Sequence, residues 1–244
     1  MPALLTIAKR EFRSYFDSPV AYVVVCLSFL GLGLMFFFFD GGFWEQDRAS
    51  LQALFAYIPP GLSLLVVPVV TMGLIAEEKR SGTLEMLITL PVKDSDVMLG
   101  KYIGALGLVL TLLLATLIYP LTMFWAPWHL GSLDWGPVES AYLGLILFSA
   151  AAVAIGLLIS SLTDSQAVAF FVTFFVLVMM WYVGRGADWM GGWLGETLRY
   201  ISFETRMSSF MRGLIETRDI IYFVSIAAFC LVVAFRKLES RKWV

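Results

Sequence analysis

The chain has 244 residues, 59% of them hydrophobic and 15% charged, with a mean hydropathy of +0.83. That balance excludes a soluble domain, and a formal charge of −2 gives no reason to expect nucleic acid as a partner. At roughly 20 residues per membrane helix, the length holds about six spans with short connections. Cys26 and Cys230 lie within apolar runs and read as small buried hydrophobes rather than a disulfide pair. With the lone His129 they are too few and too scattered for a zinc site.

Residues 1–17 place Leu4, Ala8, Phe12 and Tyr15 on one helical face, with Lys9, Arg10 and Arg13 largely opposite. This pattern predicts an amphipathic helix lying in the membrane interface. The apolar run 20–39 is long enough for a first span. No Ala-x-Ala pattern follows it, which disfavours a secretory signal. After a polar connection, the second predicted span covers 54–76, with Pro59 and Pro60 near its start and Pro68 inside. Proline is tolerated there where neighbours or water satisfy the freed carbonyls. The third span covers 102–125 and contains Pro120. Trp125, Trp128 and Trp135 around the next connection suit an aromatic belt at headgroup level.

The fourth span, 141–162, is rich in small residues between Gly144 and Gly156 that permit close helix packing. Thr163 to Gln166 reads as a tight turn with capping residues for the fifth span, 167–183. A mixed connection, 184–219, precedes the sixth span, 220–235. Its five arginines and five acids balance, and most are expected to be solvated surface charge. Within it, Phe203 to Phe210 reads as an amphipathic helix dipping back into the membrane. Arg212 and Gly213 complete this candidate re-entrant segment.

The stretch 77–93, between the second and third spans, is the most informative. It begins Glu77-Glu78-Lys79-Arg80-Ser81, and Gly82 stands where a preceding helix can break. Thr83 to Leu90 then reads as a short helix closed by Pro91. Leu84, Leu87 and Ile88 form an apolar stripe, and Glu85 lies in the first turn, where a carboxylate suits the helix dipole. An apolar stripe outside the bilayer calls for a partner groove. A water-facing loop with leucines resting on headgroups fits the residues alone equally well.

None of the six spans as delimited contains Asp, Glu, Lys, Arg or His, so no ion-relay chemistry is visible at membrane depth. No phosphate-binding Gly-x-x-x-x-Gly-Lys-Ser/Thr loop occurs, and ATP, if it drives the protein, binds another chain. An intramembrane protease fails on residue count. Glu77-Glu78 lacks the Arg expected at position 82, and Gly61-Leu62-Ser63 has no histidine in any span to serve as base. A non-transporting anchor or assembly subunit stays open.

The run Arg80-Ser-Gly-Thr-Leu-Glu-Met-Leu resembles the signature of type-2 ABC exporter permeases, flanked by spans as in that family. The resemblance implies an all-α membrane protein: six transmembrane helices, an N-terminal interfacial helix and a short cytoplasmic coupling helix. It assigns Arg80, Gly82, Thr83, Leu84, Glu85, Leu87, Ile88 and Pro91 to docking on a separate ATP-binding subunit. That subunit, and no residue of this chain, would hold ATP and Mg. It further implies a homo- or heterodimer of permease chains, for which Gly31 and Gly33 are candidate interface positions. Arg10-Glu11-Phe12, Ser18-Pro19 and the stretch 203–223 resemble the gliding-motility (Gld-type) branch, which implies an auxiliary subunit with a large extracytoplasmic part. The expected activity is substrate export across a bacterial inner membrane. The alternative is transmission of force to an extracytoplasmic machinery such as that of gliding.

With both termini cytoplasmic, 11 of the 17 basic residues fall inside, the direction the positive-inside rule requires. A Ser240→Cys variant is therefore expected to resist an impermeant thiol reagent in intact cells. Ready labelling from outside would reverse the topology.

Overall fold

The computed structural model describes residues 2–38, 51–83, 94–124 and 135–240, and among these every regular element is helical. Hydrocarbon offers no hydrogen bonds to the backbone, so long apolar segments close their own as helices. Helices α1 (Pro2–Asp17) and α2 (Pro19–Phe38) meet at a corner of 73°. Five further helical stretches, at 54–80, 94–121, 135–162, 166–187 and 217–239, are long and apolar enough to cross a membrane. The bent α1–α2 pair makes up to six. The protein is a multi-pass membrane protein.

The second span is built from pieces. Helix α3 (Gln52–Gly61) contains Pro59 and Pro60, which carry no N–H, and it passes into a π-helical turn, Leu62–Val66. Ser63 Oγ donates to the Pro59 carbonyl at 2.9 Å. Helix α4 (Val67–Thr71) then breaks at Met72, and a short α5 (Ala76–Arg80) follows. Ser160 splices that break. Its hydroxyl accepts from the N–H groups of Ile75 and Ala76, at 3.1 Å each, and donates to the Met72 carbonyl at 3.2 Å.

Helix α6 (Asp94–Thr116) begins eight residues before the predicted third span, with Asp94 and Asp96 in its first turn. It ends four residues ahead of Pro120, whose ring would clash with the Thr116 carbonyl, and α7 (Ile118–Phe124) resumes the path. Helix α8 (Trp135–Leu162) runs through the middle of the bundle. Phe148 on it meets Trp181, Phe203 and Phe223 edge-on, with ring centroids 5.5–6.4 Å apart. Helix α9 is Gln166–Met190, and the turn before it is closed by Ser165 N–H donating to Thr163 Oγ1; Ser165 makes no side-chain cap. Helices α10 (Gly192–Ile201) and α11 (Phe203–Met211) fold back onto the bundle before α12 (Thr217–Ser240).

One expectation is corrected here: Cys26 is exposed on α2, and only Cys230 is buried. Most of the described charges of 184–219 are at the surface, as expected, and two, Arg206 and Asp219, are buried. Arg206 is buried, with Nη1 donating to Asp219 Oδ1 at 3.0 Å and Nε donating to the Tyr200 carbonyl at 3.3 Å. Its guanidinium lies over the Tyr200 and Tyr222 rings. Arg185 and Glu204 form a second, bidentate pair nearer the surface.

A Cβ added at Gly156 would stand 2.7 Å from Thr71 Cβ, so α8 and α4 touch where only glycine fits. Gly156→Val is expected to cost roughly 1–3 kcal/mol and lower the yield of folded protein in detergent. Gly31→Val, where nothing lies within 4 Å, should leave the folded chain unchanged. Equal thermal midpoints for the two variants would contradict this packing.

Candidate functional site: the ion-paired base of residues 81–93

Residues 84–93 lie outside the described residues, and with them Leu84, Glu85, Leu87, Ile88 and Pro91. Both edges of the segment are described. Helix α5 ends at Arg80, which is exposed, and Gly82 takes φ +72°, a left-handed conformation that favours glycine. Ser81 Oγ and Thr83 Oγ1 stand 2.8 Å apart, and Ser81 Oγ also bonds to the Glu77 carbonyl at 2.9 Å, folding the chain back over the helix end. On the far side α6 begins at Asp94.

The charges of Glu77-Glu78-Lys79-Arg80 do not share one solvent face. Lys79 turns inward, with its side chain 3% exposed. It donates to the Ser161 carbonyl and pairs with Asp164 at 3.5 Å, which fixes α5 to the end of α8. Glu78 turns the other way, its Oε1 accepting from Lys101 Nζ at 2.8 Å. Lys101 is 5% exposed and also reaches Glu11 Oε2 on α1 at 3.4 Å. One ammonium thus joins three elements: α1, α5 and α6. Glu78 Oε2 is buried and has no hydrogen-bond partner among the described residues.

Glycine makes the meeting of α1 and α6 possible. A Cβ at Gly100 would lie 2.8 Å from Ile7 Cγ2, and one at Gly104 would lie 2.7 Å from Glu11 Cβ. The Ala8 carbonyl would be 3.0 Å from that same point. The resulting contact holds Glu11 beside Lys101. Tyr15, at the end of the same helix, donates to the Val70 carbonyl at 2.9 Å. Burial, with a smaller contribution from Glu11, pushes its phenol well above the usual range.

The other singled-out residues lie apart from this cluster. Gly31 has open space around it, and Gly33 faces the Tyr119 hydroxyl. Phe203 and Phe210 are fully buried, Phe210 lying 2.7 Å from where a Gly144 Cβ would be. Arg212 is exposed at the end of α11, and Gly213 takes φ +84° beside Pro137. Lys101 was missed because the predicted third span stops where charge begins. The glycines at 100, 104 and 107 were the available signal.

Among the described residues no group of three or more His, Cys, Asp and Glu is placed to hold a metal ion. The described residues form a membrane-spanning helical bundle with a polar, ion-paired base between the second and third spans. Residues 45–236 match the family model described as "ABC-2 family transporter protein", and the chain belongs to that family. No curated protein matches the chain.

Removing the Lys101 ammonium leaves Glu11 and Glu78 facing each other, half-buried. Lys101→Met is expected to lose about 2–3 kcal/mol, read as a lowered thermal midpoint in detergent. The double variant Lys101→Met/Glu78→Gln should recover part of the loss. Strict additivity of Lys101→Met and Glu78→Gln would contradict the pairing.

Proposed function

We propose that the chain is the membrane-spanning subunit of an ATP-driven exporter of a bacterial inner membrane, with both termini cytoplasmic. A partner subunit binds and hydrolyses ATP with Mg, and this chain carries no catalytic residue. The coupling helix is Thr83–Leu90, docking through Leu84, Leu87 and Ile88 with Glu85 at its N-terminal turn. Arg80 and Gly82 lead into it, and Pro91 ends it. The single observation behind this reading is the tying of both flanks of the segment. Lys79 fixes α5 to α8, while Lys101 joins α5 to α6 and α1. A push on a segment held that way reaches four helices at once, and tilting of packed helices is an established route between inward and outward states.

Membership of the ABC-2 family supports an ATP-binding subunit as partner. A second permease chain would meet α2 near Gly31, where no atom of the described residues lies within 4 Å of an added Cβ. The resemblance at 10–12, 18–19 and 203–223 favours the gliding-motility branch and an auxiliary extracytoplasmic subunit, with α11 as the segment re-entering the membrane.

Leu87→Glu tests the docking. It touches no span, so the protein should insert normally. A carboxylate placed in an apolar groove costs several kcal/mol, on the order of 2–5, and binding of the ATPase should fall by at least tenfold. Wild-type assembly and ATP turnover in this variant would refute a docking role for the helix.

A further inference from the structure

A cavity of about 320 Å³ opens at the α1–α2 corner, bounded by α1, α2, α4, α6 and the first residue of α9. That volume lies within the range of roughly 300–1,000 Å³ common to small-molecule sites. Its two ends differ in chemistry. Glu11, Ser14, Glu77 and Gln166 line one end, and Val24, Val69 and Leu112 the other. Leu112 lies 11 residues beyond Lys101 on α6, roughly 16 Å deeper along the helix axis. The cavity therefore passes from the level of the ion pairs into the hydrocarbon depth of the bundle.

Glycine shapes the polar end. At Gly73 a Cβ would come within 3.1 Å of Glu77 Oε2 and 3.6 Å of Gln166 Nε2, so its absence keeps the mouth clear between those groups. The charge there is unbalanced. Glu11 and Glu77 line this end and, among the described residues, no Lys or Arg does; Lys101 reaches Glu11 from outside the lining and divides its ammonium between Glu11 and Glu78. Glu77 makes no ion pair within 4.0 Å among the described residues.

We propose that this cavity is a binding site for a membrane lipid with a primary ammonium headgroup. The headgroup lies between Glu77 and Glu11, and part of an acyl chain lies along Val24, Val69 and Leu112. Charge complementarity selects the headgroup. An anionic lipid would meet like charge, and carboxylates accept hydrogen bonds only from N–H or O–H donors, which a trimethylated ammonium lacks. The change from polar to apolar lining matches the change from headgroup to chain at the same depth. The site is independent of the proposed ATP coupling, since it requires no partner subunit.

The full chain, purified in detergent and stripped of lipid, tests this by native mass spectrometry. It would be titrated separately with dioleoyl phosphatidylethanolamine, phosphatidylcholine and phosphatidylglycerol. One ethanolamine lipid should be retained at about tenfold lower concentration than either other lipid. Glu77→Gln should abolish that preference, and Glu77→Asp should keep most of it. Gly73→Leu should block retention by filling the mouth. Glu77 is exposed, so the Gln variant folds without dependence on core packing, and an unchanged thermal midpoint would verify it. Equal retention of the three lipids, or a preference unaffected by Glu77→Gln, would overturn the site.

Discussion

A lysine ammonium at the edge of a bilayer must be surrounded by partners, because leaving it unpaired away from water costs several kcal/mol, on the order of 3–5. Lys101 meets that demand with Glu78 and Glu11, and both partners lie far from it in sequence. The requirement fixes much of the base of the bundle. Helix α1 has to lie against α6 closely enough to present Glu11, which in turn requires glycine at 100 and 104. Helix α5 has to start after a break that turns Glu78 toward α6, and Ser160 of α8 satisfies the backbone groups exposed by that break. The polar base and the apolar bundle are thus one construction.

The opposite end of the bundle repeats the device. Arg206 is enclosed by Asp219, the Tyr200 carbonyl and two tyrosine rings, and this holds α11 against α12. Helix α8 connects the two ends. Near its start Ser140 donates to the Phe210 carbonyl at 2.7 Å and Gly144 admits the Phe210 ring. Near its end Gly156, Ser160 and Ser161 receive Thr71, the α4–α5 break and Lys79. A displacement of α5 has a continuous packed path to α11, although adjacency alone is not coupling.

Much of the fold was legible because hydropathy and length dictate helices in lipid, and the structure has long apolar helices where the sequence required them. Gly82 was also readable as a helix end, since glycine acts locally, whereas Pro120 was placed inside one continuous span and the interruption between Thr116 and Ile118 was not read. The base was not. In a helix of five residues preceded by a break, the direction of each side chain is set by what holds the break, and Ser160 stands 84 residues away from Ala76. The pairing of charges at 78, 79 and 101 was not readable, because the partners at 11 and 164 come from other parts of the chain. The same holds for Arg206, whose burial depends on the fold of α11 against α12.

The central claim is that α1, α5 and α6 move as one body when the partner ATPase cycles. Spin labels at the exposed positions 5 and 99, introduced as Leu5→Cys and Leu99→Cys with Cys26 and Cys230 replaced by Ala, report the α1–α6 separation directly. Distances would be measured in the assembled complex, nucleotide-free and ATP-trapped. An α1–α6 distance that stays the same in both states, while the distance from position 5 to a label at Thr205 on α11 changes, agrees with a rigid base. Separation of positions 5 and 99 on ATP binding would contradict it.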